Sequence, residues 1–217
     1  MMVAMHSKAA TPKGQAKVAS LLGMAKCIVI ESGFDGLTLR ELSRRLGISL
    51  SHLQYYFASR DALIEAMFLD VAATYRAERD AILDAPARSP RDRLRAVVAF
   101  LLTDCLSADT TRYFIELWAI AQRDERYGRI MGNIYGWARE RMAALIGDTD
   151  AGISPEECAI RAAWMFALME GTMPVLARAY FEPDRETFIE RTIDHLMEVA
   201  IGPVASPDDR QHVSSSR

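Results

Sequence analysis

Residues 33–68 read GFDGLTLRELSRRLGISLSHLQYYFASRDALIEAMF. Thr38-Leu39-Arg40-Glu41 is a capping box: Thr38 is predicted to accept a hydrogen bond from the Glu41 amide while the Glu41 side chain reaches back. Leu39, Leu42 and Leu46 then share one face of a short helix, and Ile48, Leu53 and Phe57 follow at core spacing. Gly47 sits between two such helices, where a left-handed residue permits a tight turn. Two short helices joined by a turn of this length form a helix-turn-helix, whose second member enters a DNA major groove. Here the second member is predicted over residues 50–57. Leu53 and Phe57 face the core, which leaves Ser51, His52, Gln54, Tyr55 and Tyr56 for bases or phosphates. Their short or stiff donors and acceptors suit both kinds of contact.

Outward from this segment the same periodicity continues, and no stretch alternates as a strand does. Ser89-Pro90-Arg91-Asp92 and Ser154-Pro155-Glu156-Glu157 each place serine at a helix cap, proline at the first helical position and an acid three residues on. Gly33, Gly47, Gly147 and Gly202 stand where helices are expected to stop. The pattern predicts an all-α protein with helices near 14–32, 38–46, 50–57, 60–84, 90–107, 110–123, 126–146, 155–181 and 185–200. Residues 1–60 form an expected DNA-binding domain and 61–202 a larger helical body. Residues 1–12 and the tail 203–217 are expected to be mobile.

The 217 residues carry a net charge of only -3, but that charge is unevenly distributed. Residues 1–60 hold eight basic and three acidic side chains, a net of +5, whereas the remaining 18 basic and 26 acidic residues give -8. A basic head on an acidic body points to a polyanion as the partner of the head. No run approaches the roughly 18–20 apolar residues of a membrane span, so no membrane partner is expected. The segment MMVAMHSKAATPKGQ lacks the apolar core of a signal peptide, which makes a cytoplasmic location the expectation. Cys27, Cys105 and Cys158 are too scattered for a disulfide framework or a paired-thiolate metal site. His6, His52, His195 and His212 have no paired ligand spacing, so neither metal nor cofactor is expected. Without a phosphate-cradling glycine loop or a nucleophile elbow, an all-α enzyme is the weakest reading.

Gly33-Phe34, Thr38, Gly47-Ile48-Ser49, Leu53, Tyr55-Tyr56-Phe57 and the Ser59-Arg60-x-x-Leu63 start of the next helix together resemble the DNA-binding segment of the TetR family of bacterial transcriptional regulators. The resemblance implies that Thr38 contacts phosphate and that Ser49, Ser51 and His52 lie near the groove. It makes Gln54 and Tyr55 the base readers and puts Tyr56 and Arg60 on the DNA backbone, with Lys13, Lys17, Arg44 and Arg45 adding long-range attraction. Three positions depart from the family pattern. Leu50 stands where Lys or Thr is frequent, Gln54 where Tyr is frequent, and Arg60 replaces Lys. The operator sequence therefore does not carry over.

The same resemblance implies that the body binds a small-molecule effector and dimerises. The stretch ELWAIAQRDERYGRIMGNIYGWARERMAALI, residues 116–146, further resembles the subgroup containing the choline-responsive betaine-pathway regulators. Phe100, Asp104, Trp118, Gln122, Met131, Tyr135, Trp164, Met165 and Glu170 are the candidate effector contacts, combining apolar walls with a few polar groups. Aromatic rings near an acid also suit a cation. Ordinary core packing accounts for the same residues. The last two helices carry Ile160, Trp164, Leu168 and Val175, then Phe188, Ile189, Ile193, Leu196 and Met197. By resemblance they pair with a second copy, so that two heads read a palindromic operator of double-stranded DNA. The favoured expectation is a ligand-released dimeric repressor. The alternative is a helical small-molecule-binding or interaction protein without DNA binding.

Overall fold

The computed structural model describes residues 11–84, 89–176 and 184–203. Among the described residues there are nine helices and no strand: α1 (Pro12–Gly36), α2 (Leu39–Leu46), α3 (Leu50–Tyr56), α4 (Arg60–Leu83), α5 (Pro90–Cys105), α6 (Ala108–Arg123), α7 (Glu125–Thr149), α8 (Pro155–Leu176) and α9 (Arg185–Ile201). The continuation of the eighth helix to 181 and nearly all of both expected mobile ends lie outside the described residues. Thr11 and Pro12 are described, and they cap and open α1.

Every helix begins on a short polar side chain that accepts from an otherwise unpaired amide of the first turn. Thr11, Thr38, Ser49, Ser59, Ser89, Ser107, Ser154 and Asp184 each serve the amide three residues on, and Asp124 serves Arg126. Half of the predicted capping box is replaced. Thr38 accepts from the Glu41 amide at 3.0 Å. The Glu41 carboxylate does not complete the box; Arg44 and Arg45 take it instead, at 2.7–2.8 Å. Gly47 is left-handed with φ 63°, as the tight turn requires. Gly147 stops nothing: α7 runs on to Thr149, and a Cβ on that glycine would lie 3.7 Å from Cys158 Sγ.

Two apolar cores organise the molecule. The first joins Leu21, Ile28, Leu42, Leu53, Phe57 and Phe68 of the head and α4 to Tyr113, Leu117, Tyr127 and Met131 of α6 and α7. It therefore crosses residue 60 without a break. The second gathers Leu94, Val98, Leu102, Ile146, Met165 and Leu196 from α5, α7, α8 and α9. The apolar face of α9, including Phe188, Ile189, Ile193 and Met197, packs into this second core. Of the two last helices expected to pair with a second copy, α9 thus uses its apolar face within the chain. On α8, Ile160, Trp164 and Leu168 remain exposed at four-residue spacing. Buried Arg161 fastens the two helices, donating to the carbonyls of Ala200 and Gly202 at 3.0 and 2.9 Å.

Candidate nucleic-acid interface and effector cavity

Leu53 is fully buried and Phe57 nearly so, which locks α3 onto the first core by one face. Its opposite face presents exposed Ser51, His52, Gln54 and Tyr55. The His52 and Tyr56 rings stack at 5.8 Å between centroids, and Tyr55 meets Tyr56 edge-on at 5.2 Å. Such mutual contacts restrict rotamers before any partner arrives, so less entropy remains to be lost on contact. Ser49 caps the helix, and its Oγ lies 3.1 Å from Ser51 Oγ. Thr38 is exposed at the start of α2.

The surrounding charge is partly neutralised within the head. Arg44 and Arg45 hold the Glu41 carboxyl down at about 2, and Arg45 also reaches Glu31 at 2.5 Å. Arg60, expected on the DNA backbone, is turned into the protein. It donates from Nε to the Leu37 carbonyl at 2.7 Å and from Nη2 to the Phe34 carbonyl at 2.5 Å. Both carbonyls belong to the turn between α1 and α2. Glu116 of α6 secures the same turn by accepting from the Phe34 amide at 3.3 Å. Immediately before that amide, Gly33 breaks the helical path with φ 67°. A side chain at that position would be strained and would meet Glu116 Oε2 at 3.0 Å.

Between the two cores lies a cavity of about 700 Å³, walled by α4, α5, α6, α7 and α8. Of the nine candidate contacts, Met131, Tyr135 and Glu170 line it. Asp104 and Trp118 stand behind the wall. Asp104 accepts from the Tyr75 hydroxyl and from Thr110 at 3.2 Å, while Trp118 Nε1 donates to the Tyr135 hydroxyl at 2.9 Å. The other four lie outside the lining. Phe100 rests against the Tyr75 ring outside the lining, and Gln122 is exposed. Trp164 is 56% exposed on the outer face of α8, and Met165, at 0%, is locked inside the second core. Each sits on a helix that touches the cavity, but helical rotation of about 100° per residue turns its side chain elsewhere.

Burial pushes the Glu170 carboxyl up to about 7, against the opposing pull of the Tyr135 hydroxyl and Arg139. Burial likewise pushes the Cys105 thiol up to about 12, which removes it as a nucleophile. The sequence reading missed the α4 wall altogether. Phe68, Ala72, Tyr75, Arg76 and Arg79 follow one helical stripe, and that periodicity was the available signal. It also missed Arg126, which borders the cavity and pairs with Asp61 at 3.0 Å in the first turn of α4.

Residues 21–67 match the family described as bacterial regulatory proteins, tetR family, and residues 90–200 match the C-terminal family of BetI-type transcriptional repressors. The chain belongs to the TetR family of transcriptional regulators. Members of that family are not enzymes, which sets aside the catalytic reading. This TetR-family chain is 33% identical over 135 residues to an HTH-type transcriptional regulator in the dhlA 5' region of Xanthobacter autotrophicus, covering 60% of this chain and 66% of that one. It is 31% identical over 101 residues to the HTH-type transcriptional regulator BetI of Burkholderia ambifaria, covering 46% and 52% respectively. The aligned stretches thus span about half to two thirds of these relatives. A transcriptional regulator from Saccharomonospora viridis, solved in complex with choline, shares the fold with a TM-score of 0.68 at 14% identity, over 84% of this chain and 94% of that one. Among the described residues no helix is long and apolar enough to cross a membrane.

Proposed function

We propose that this TetR-family protein binds an inverted-repeat operator as a homodimer and releases it when a small molecule fills the cavity, acting as a repressor. The observation that carries this reading is the polar face of α3, held rigidly on buried Leu53 and Phe57. Gln54 and Tyr55 read base edges, Ser49, Ser51 and His52 line the groove, and Thr38 and Tyr56 contact phosphate. The dimer forms through the exposed Ile160, Trp164 and Leu168 stripe of α8, beside Gly171, where a Cβ would meet nothing within 4 Å. It sets the two heads roughly 34–36 Å apart, one turn of the duplex.

Arg126 supplies the link between the two sites. It borders the cavity and grips Asp61 at the root of the head, so a ligand that moves α7 against α4 also moves α3. An effector acts only through a difference in its affinity for the two arrangements. A quaternary ammonium such as the choline of the Saccharomonospora viridis neighbour is a second reading of the effector, with Glu170 as its counter-ion.

A mobility-shift titration of DNA from upstream of the gene is the test. A specific complex that weakens steeply with salt is expected, because neutralised phosphates release counterions. Gln54→Ala or Tyr55→Ala lowers the preference for the operator over unrelated DNA, by about 1–3 kcal/mol each. A complex no tighter than that with unrelated DNA refutes the reading and favours an interaction protein without DNA binding.

A further inference from the structure

The cavity mouth has a chemistry that the effector reading leaves unexplained. Among the described residues five arginines border the cavity: Arg76 and Arg79 from α4, and Arg126, Arg129 and Arg141 from α7. Three have carboxylate partners, since Arg79 pairs with Asp80, Arg126 with Asp61, and Arg129 with Glu125. Among the described residues Arg76 and Arg141 have none within ion-pair distance, and both are exposed. The guanidinium carbons of Arg76 and Arg79 lie 4.3 and 4.2 Å from the centroid of the single Trp137 ring. Arg141 follows one turn further along α7.

Stacking on an indole occupies the flat face of a guanidinium and leaves its N–H edge pointing outward, in the geometry that accepts a carboxylate or phosphate. Arg79 is partly neutralised by Asp80, whereas Arg76 has no carboxylate within ion-pair distance among the described residues, so an anion set against its edge offsets an uncompensated charge. Behind this mouth the wall is hydrocarbon, from Val97, Leu101, Met142 and Leu145. The volume of about 700 Å³ accommodates far more than a small polar ion.

Resting on the effector reading above, we infer that the ligand is an amphipathic anion, with its apolar chain inside the cavity and its acidic head on Arg76, Arg79 and Arg141 beside Trp137. Carboxylate and phosphate heads share the chemistry required. Glu170 lines the same cavity from α8.

Calorimetric titration of the full-length protein with decanoate, decyl phosphate, 1-decanol and decyltrimethylammonium tests this inference at constant chain length. At least one of the two anions is expected to bind about tenfold or more tighter than the alcohol and the cation, equivalent to about 1.4 kcal/mol. Whichever anion binds more tightly identifies the head group. The Arg76→Gln, Arg141→Gln double variant loses that advantage and keeps its affinity for decanol. Arg112→Gln, on an exposed arginine outside the cavity, keeps the parent pattern. If the double variant melts early, the ranking of the four probes on the parent protein decides alone. Binding of the cation or alcohol as tight as that of both anions overturns the inference, as does an anion preference that survives in a folded double variant. The operator titration without ligand is independent: a specific complex with no anion preference removes only the ligand class. An anion preference without operator binding removes only the regulator.

Discussion

The helix-turn-helix and the cavity are built in opposite ways. Around α2 and α3 the chain closes on itself through near neighbours: Thr38 to Glu41, Ser49 to His52, and Arg44 and Arg45 to Glu41. Leu42 and Leu53 beneath them have no exposed surface. The cavity instead collects side chains from five helices, 65 to 173 in the chain, around about 700 Å³ of space. A surface that docks on a rigid duplex gains from being set in advance, whereas a site that must be filled needs unfilled volume. Such volume forgoes dispersion contacts and lowers local stability. The difference teaches that a loosely filled region coupled to a rigid one is suited to transmit occupancy as movement.

The largest expected effect breaks or sharpens this contrast directly. Leu53→Ala removes a fully buried side chain from a filled core and lowers the stability by about 2–5 kcal/mol. Leu101→Ala only widens existing space at a half-buried position and costs less than about 2 kcal/mol. Denaturant unfolding of both variants reads the difference, and equal losses abolish the distinction between the regions.

The next effect tests the polar cost of the cavity. Glu170 is held up at about 7 against an ordinary value of 4.5, so the folded state keeps its proton longer than the unfolded chain does. Burial of this acid costs nothing below the ordinary value, costs more as the pH rises towards 7, and reaches a plateau above it. Glu170→Gln is therefore expected to stabilise the protein by up to ~3 kcal/mol at pH 8 and by little at pH 4. Melting temperatures across that range check it. A gain of the same size at both ends rules out a buried, protonated acid.

The third effect concerns the boundary between the regions. Arg60→Ala removes two donations to backbone carbonyls and lowers the stability of the unbound protein by about 2 kcal/mol. A residue on the DNA backbone instead leaves the unbound protein unchanged and reduces the salt dependence of binding by about one phosphate. Thermal unfolding without DNA separates the two.

What was legible in the sequence follows the same division. Thr38, Gly47, Leu53 and the exposed row from Ser51 to Tyr55 occupy the positions that cap chemistry and helical spacing predict. The partners of Arg60, the Phe34 and Leu37 carbonyls, were not legible, because they lie 26 and 23 residues away and are backbone atoms that carry no side-chain signature. In the body, Met131, Tyr135 and Glu170 line the cavity, whereas Trp164 and Met165 do not. These two are adjacent on α8, yet one faces outward and the other lies in the second core. Apolar composition cannot separate such neighbours, because the direction of burial depends on where α5, α7 and α9 pack.

The sequence alone determined the all-α class, the helix boundaries among the described residues to within a few residues, the helix-turn-helix and its outward face, since each rests on contacts within one or two turns of chain. Only the tertiary structure decided which wall of α4 faces the cavity, that α9 closes inward while α8 keeps an apolar stripe exposed, and that Arg126 joins the cavity to the root of the head. Those outcomes depend on the mutual orientation of helices far apart in the chain, and no local propensity encodes that orientation.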